Sequence, residues 1–187
     1  SMNAVGWNVL RAAYAQHGDW NSTLEICNAM EAQGLAPDEY SFLAILTSFC
    51  NAGLVSETHR WLNRMKEDYG LEPALEHHTC LVGAMGRAGQ LEEAERAALT
   101  MPFVPDTAVW RSLLASSAYH KAPDLARSMA KRLLEIDPHD DSAYVIAANV
   151  LSNAGKWDEV AEVRKMMKDR RVTKESGMSL IEVRGKV

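Results

Sequence analysis

The chain has 187 residues, 47% of them hydrophobic and 24% charged, a balance that supports a packed core and excludes an intrinsically disordered chain. Its formal net charge is −5. That argues against a protein gripping duplex nucleic acid through phosphates, which is usually basic, and leaves open the reading of single-stranded bases by hydrogen bonds and stacking.

The charge is uneven: from Lys156 to Val187 nine Lys/Arg face six Asp/Glu, whereas the preceding residues carry eleven against nineteen. Cys27, Cys50 and Cys80 are odd in number and unpatterned, which excludes a disulfide framework and suggests a reducing compartment. No stretch is long and apolar enough for a membrane-spanning helix. Ser1-Met2 reads as a cloning scar ahead of an internal segment, so any targeting leader is expected to lie outside it.

Punctuating residues divide the chain. Gly18, Gly53 and Gly89 lie 35 and 36 residues apart, with Gly155 after a further 66, while Pro37, Pro73, Pro105 and Pro138 lie 36, 32 and 33 apart. Two independent helix breakers sharing one period indicate an internal repeat. Cutting after each proline turn gives units 4–38, 39–74, 75–106, 107–140 and 141–174, with a tail 175–187. The fourth place of each unit holds Trp7, Phe42, His78, Trp110 and Tyr144, expected in the core. The fifteenth holds Gly18, Gly53, Gly89, Lys121 and Gly155, so the fourth unit lacks the glycine and is expected to turn through Pro123.

Each unit reads as two helices. In the third, "HTCLVGAMGRAG" is apolar at helical spacing and stops at Gly89, which can adopt the left-handed conformation that closes a helix. "QLEEAERAALTM" follows, with Glu92 and Glu93 placed to suit the helix dipole, until Pro102 and Pro105 forbid continuation. One helix pair cannot bury its apolar face alone, so neighbours must stack. The expected fold is all-α: a solenoid of five helix-turn-helix repeats, about ten helices. In the tail, "GMSLIEVRGKV" has an irregular or strand-like pattern.

These units resemble pentatricopeptide repeats. "AVGWNVLRAAYAQHGDWNSTLEICNAMEAQGLAPD" resembles a P-type repeat, the unit from Glu39 the longer L-type, and the unit from Leu75 the short S-type. Units 107–140 and 141–174 resemble the two tetratricopeptide-like E-type motifs that follow them, and 175–187 resembles the family's PG box, although Ser176 replaces its proline and Leu180 its tryptophan. The order P, L, S, E, E resembles the C-terminal part of PLS-class proteins of plant chloroplasts and mitochondria, site-recognition factors for C-to-U RNA editing. The resemblance implies that the fifth and last residues of a P- or S-type unit read one base of single-stranded RNA, and that second-place side chains sandwich it.

Carried over residue by residue, this makes Asn8 and Asp38 a candidate uridine-reading pair, Thr79 and Asp106 a purine-reading pair, and Val5 and Tyr40 the stacking positions around the first base. An asparagine amide offers both donor and acceptor, which suits a pyrimidine edge. From the residues alone Asp38 and Asp106 also read as helix N-caps, and Thr79 as a hydroxyl satisfied by its own helix. Leu43 and Ala74 hold the same places in the L-type unit and cannot hydrogen-bond a base. That unit is expected to space the others or to dock proteins of the multiple organellar RNA editing factor group.

The resemblance also implies a DYW deaminase, in cis or in trans, positioned by the E-type motifs. The chain itself has neither the H-x-E nor the C-x-x-C pattern of a zinc deaminase, so it is not expected to be an enzyme. No cofactor is implied. "LEHHTC" is a poor zinc site, because adjacent histidines point to different sides of a helix. The basic run Arg164, Lys165, Lys168, Arg170, Arg171 and Lys174 is either a solvated helix end or a contact to phosphates or a following domain. The competing expectation for the whole chain is a protein-interaction scaffold of tetratricopeptide type that never touches RNA.

Overall fold

The structure, a computed structural model, describes residues 19–170. Val5, Trp7 and Asn8 lie outside the described residues, as does the tail 175–187. Among the described residues there are nine α-helices and no strand. In chain order they are α1 (Trp20–Ala32), α2 (Glu39–Ala52), α3 (Val55–Glu67), α4 (Leu75–Arg87), α5 (Leu91–Thr100), α6 (Thr107–Tyr119), α7 (Pro123–Ile136), α8 (Asp141–Asn153) and α9 (Trp157–Asp169).

Carboxylates start several of these helices. Four amides at each helix start lack intrahelical partners, and a side-chain acceptor satisfies one or two of them. Asp19 accepts from the Ser22 N–H at 3.1 Å, Asp38 from the Ser41 N–H at 2.8 Å, and Asp140 from the Ala143 N–H at 3.0 Å. The return bond from Asp38 N–H to Ser41 Oγ, at 3.0 Å, completes a reciprocal capping box at α2. Glycine ends α2, where Gly53 takes φ +67° and its N–H donates to the Cys50 carbonyl. The fourth unit makes the same left-handed turn without glycine: Lys121 has φ +56°, and Pro123 sits at the first position of α7. A left-handed lysine costs about 1–2 kcal/mol, so the turn is imposed by the packing around it.

The helices form two layers. The first helices of successive pairs pack in sequence, α2 on α4, α4 on α6, α6 on α8. Helices α3, α5 and α7 each wedge between their own partner and the next first helix. Close approach is needed along α4: a Cβ on Gly83 would stand 2.7 Å from Cys50 Sγ on α2, and one on Gly86 would stand 2.6 Å from Ser116 Oγ on α6. These two glycines let α4 touch both neighbours, one on each side.

The core follows the layers. Phe42, Phe49, Trp61 and Met65 anchor one cluster; Trp110, Leu113, Leu133 and Tyr144 anchor another. The Phe42 ring lies 6.0 Å from Trp61 and 5.2 Å, edge-on, from Tyr69, separations at which aromatic pairs attract beyond their area burial. At the fourth place Phe42, Trp110 and Tyr144 are buried. His78 corrects the pattern. It is half-buried with its ring 5.6 Å from Phe103 in the proline turn, and desolvation followed by the charge of His77 pushes its imidazole below the usual range. The buried imidazole is its neighbour, His77, 4% exposed. The third unit has the shortest helix here, α5, ending at Thr100, and the Phe103 turn covers His78 only in part.

No helix among the described residues is long and apolar enough to cross a membrane. Replacing Phe42 by Ala should lower stability by about 3–5 kcal/mol, whereas Val104→Ala, at an 88% exposed site, should stay within about 0.5 kcal/mol. Urea denaturation followed by circular dichroism reads both, and a mild Phe42 variant would show that the first cluster does not hold the stack together.

Candidate functional site

The candidate reading residues collect at the joints between pairs. Asp38, Asp106 and Asp140 are each the residue just before a first helix, capping α2, α6 and α8. Asp106 Oδ1 accepts from the Ala108 and Val109 amides at 3.0 and 3.1 Å. Asp38 and Asp106 are exposed residues while they cap. Tyr40, in the first turn of α2, is 67% exposed, as a stacking platform requires.

The first turns of α2 and α4 are tied by His77. Its Nε2 donates to the Glu39 carbonyl at 3.1 Å, and its Nδ1 accepts from the Ala74 N–H at 3.1 Å. Alanine has no side-chain acceptor for the first-turn amides, and His77 supplies from the third place only the return bond to the cap residue's own N–H, as Ser41 does for Asp38. Both ring nitrogens are thereby engaged, and among the described residues no three His, Cys, Asp or Glu converge to hold a metal.

Thr79 lies one turn further into α4. Its hydroxyl donates to the Leu75 carbonyl at 2.8 Å, so its proton is spent on the backbone and its oxygen can only accept. Leu43, at the same place in the preceding unit, packs against the core cluster. The fifth places therefore differ: an acceptor on α4 and a partly buried apolar residue on α2.

The same count in the fourth unit picks out a pair that sequence reasoning left aside. Arg111 is fifth and Asp140 last, and they bind each other. Arg111 Nη2 and Nε donate to Asp140 Oδ2 at 2.6 and 3.2 Å. Oδ1 accepts from Ser142 Oγ and the Ala143 N–H. Asp140 is 7% exposed. Burial opposes its ionisation, but hydrogen bonds from Ser142, Arg111 and the Ala143 amide outweigh it and hold the carboxyl below the usual carboxylate range. The hydrogen bond to Asp140, opposed by desolvation, raises the Arg111 guanidinium above its ordinary value. Opposite charges at the fifth and last places were the available signal.

A stack of helix pairs, joined by carboxylate caps with alternate helices forming one layer, defines a helical-repeat protein. Sequence comparison makes this specific: residues 2–51 match the PPR repeat family, 40–69 the PPR repeat and 120–182 the E motif. The chain belongs to the pentatricopeptide repeat family and carries its E motif. It is 38% identical over 186 residues, its whole length, to the pentatricopeptide repeat-containing protein At4g33170 of Arabidopsis thaliana, covering 19% of that protein. It is 39% identical over 99% of its length to At3g49170, named chloroplastic, covering 22%, and 38% identical over 99% to At3g26782, named mitochondrial, covering 28%, both from the same plant. The chain thus spans 19–28% of the length of these relatives.

Among solved structures, the maize pentatricopeptide repeat protein PPR10 in complex with an 18-nt psaJ RNA element superposes with a TM-score of 0.76 at 16% identity, covering 91% of this chain and 26% of that one. The pentatricopeptide repeat domain of Arabidopsis protein-only RNase P 1, in complex with tRNA, superposes with a TM-score of 0.62 at 12% identity, covering 89% of each chain. At these identities the likeness shows the fold.

Asparagine caps a helix as well as aspartate does, so Asp140→Asn can keep the cap through Oδ1 while removing the charge and the two hydrogen bonds that Oδ2 accepts from Arg111. Because the folded carboxyl sits below its ordinary value, its contribution is present above the unfolded aspartate pKa of about 3.9 and is lost as pH falls below that. With Arg111 half exposed, the loss at neutral pH should be about 1 kcal/mol, a melting shift of roughly 2–4 °C. Thermal melts of both proteins should converge in acid; a gap independent of pH would refute the assignment.

Proposed function

We propose that the chain is the RNA-binding and adaptor part of a site-specific organellar C-to-U editing factor. In this reading 4–38, 39–74 and 75–106 are P-, L- and S-type repeats that address single-stranded RNA. Units 107–140 and 141–174 are E-type motifs that position a DYW deaminase in cis or in trans, followed by the PG-box-like tail 175–187. The observation that carries the reading is the joint: Asp38 caps α2 through a reciprocal box yet stays exposed, with Tyr40 exposed two residues on. Asn8 and Asp38 then face a uridine between Val5 and Tyr40, and Thr79 with Asp106 faces a purine. The E motif match, the chloroplastic and mitochondrial names of relatives and the RNA-bound structural neighbours support it. Leu43, partly buried against the core cluster and unable to hydrogen-bond a base, leaves the L-type unit as a spacer or a docking point for multiple organellar RNA editing factor proteins.

Two reading pairs give little affinity on their own, so the chain should bind RNA weakly. Asp38→Asn keeps the helix cap while changing which groups the side chain offers to a base, and Asn8→Ala removes the amide. Together they should reduce the preference for uridine at the matching nucleotide by roughly 5- to 150-fold, the span of about 1–3 kcal/mol per well-formed base contact. Fluorescence anisotropy against four RNAs differing only at that nucleotide measures it. An unchanged preference would reject base reading by this pair and favour the alternative, a protein-interaction scaffold without RNA contact.

A further inference from the structure

Beside the closed Arg111–Asp140 pair opens a cleft of about 820 Å³. One face of α6 forms its floor, with Ala108, Arg111, Ser112, Ala115, Ser116 and Tyr119. The ends of α2 and α4 form the wall, where Arg87 projects and Gly53 and Ala88 leave room. No carboxylate lines it, in a chain whose net charge is −5.

Two of the lining groups are exposed in the cleft. Arg87 is one, with its Nη1 donating to Cys50 Sγ at 3.4 Å. Tyr119 is 82% exposed. The His120 ring stands edge-on to it, with centroids 5.0 Å apart at 86°. His120 Nε2 lies 3.2 Å from the Arg87 carbonyl, so the imidazole ties the end of α6 to the end of α4 and braces the tyrosine. A guanidinium suits a phosphate. An exposed aromatic face stacks on any base, and a floor of alanine and serine leaves room for a ribose and its hydroxyl. The groups that would read a base edge here, Arg111 and Asp140, are already bonded to each other.

We propose that this cleft holds the nucleotide next to the one addressed by Thr79 and Asp106. Arg87 takes its phosphate and Tyr119 stacks on its base, without regard to base identity. This rests on the reading of the chain as an RNA-binding module and adds to it a point where sequence reading stops and sequence-independent grip begins.

The test uses the 187-residue chain at low salt with labelled oligouridine, oligocytidine and oligoadenosine, and with RNA carrying the expected uridine and purine. Arg87→Glu should weaken all of them about tenfold and reduce the slope of log affinity against log salt by about one. Tyr119→Ala should weaken all of them about fivefold or more, while Tyr119→Phe, which keeps the ring, stays within about twofold. Both sites are exposed, and unchanged melting would show that the variants fold. If Arg87→Glu and Tyr119→Ala change nothing while Asn8→Ala and Asp38→Asn alter uridine preference, the cleft proposal falls and base reading stands. If the cleft variants weaken binding and the Asn8 and Asp38 variants leave preference intact, the cleft stands and the reading pair falls. If none of the four has an effect, both fall.

Discussion

The structure depends on one arrangement of charge: a carboxylate at the end of one helix pair neutralises the open amides at the start of the next. Asp38, Asp106 and Asp140 all do this. An uncapped helix start leaves donors without partners, and replacing such a cap with alanine costs about 0.5–2 kcal/mol. The cap also fixes where the side chain is, because it must face the first turn of α2, α6 or α8. At Ala74, which has no side-chain cap, His77 accepts from the Ala74 N–H and ties the joint to the preceding pair through the Glu39 carbonyl.

From these joints the layers follow. The first helices meet along their lengths, and Gly83 and Gly86 bring α4 close to both neighbours. The second helices fill the angle between successive first helices and carry much of the apolar mass, including Trp61, Met65, Met129 and Leu133. The fifth places differ in what this packing leaves them. Leu43 packs, partly buried, against the core, Thr79 is held by its own backbone, and Arg111 is bound to Asp140. Chemical capacity to read a base is therefore set by packing and by the partner at the joint, and the residue type alone does not decide it.

Much of the fold was legible in the chain. The glycines at Gly53, Gly89 and Gly155 all take positive φ, as helix-closing glycines do, and the buried aromatic residues Phe42, Trp110 and Tyr144 stand at one spacing. What escaped depended on contacts between distant residues. The swap of burial between His77 and His78 turns on a carbonyl 38 residues away, to which no periodicity points. The left-handed Lys121 breaks a local rule that the surrounding helices override. At the site, the capping role of Asp38 and Asp106 followed from residue type and position. The Arg111–Asp140 bond spans 29 residues and could be foreseen only by pairing opposite charges across a whole unit.

The offset between the covalent repeat and the capped helix bears on protein engineering. Asp38 belongs by sequence to one unit and by hydrogen bonding to the helix of the next, with Ser41 as its reciprocal partner. A cassette excised at the end of a repeat would carry its terminal aspartate to a foreign helix and leave Ser41 behind. Grafts cut at the glycine turns inside the units, such as Gly53, would transplant the aspartate, its serine and the helix they start as one piece.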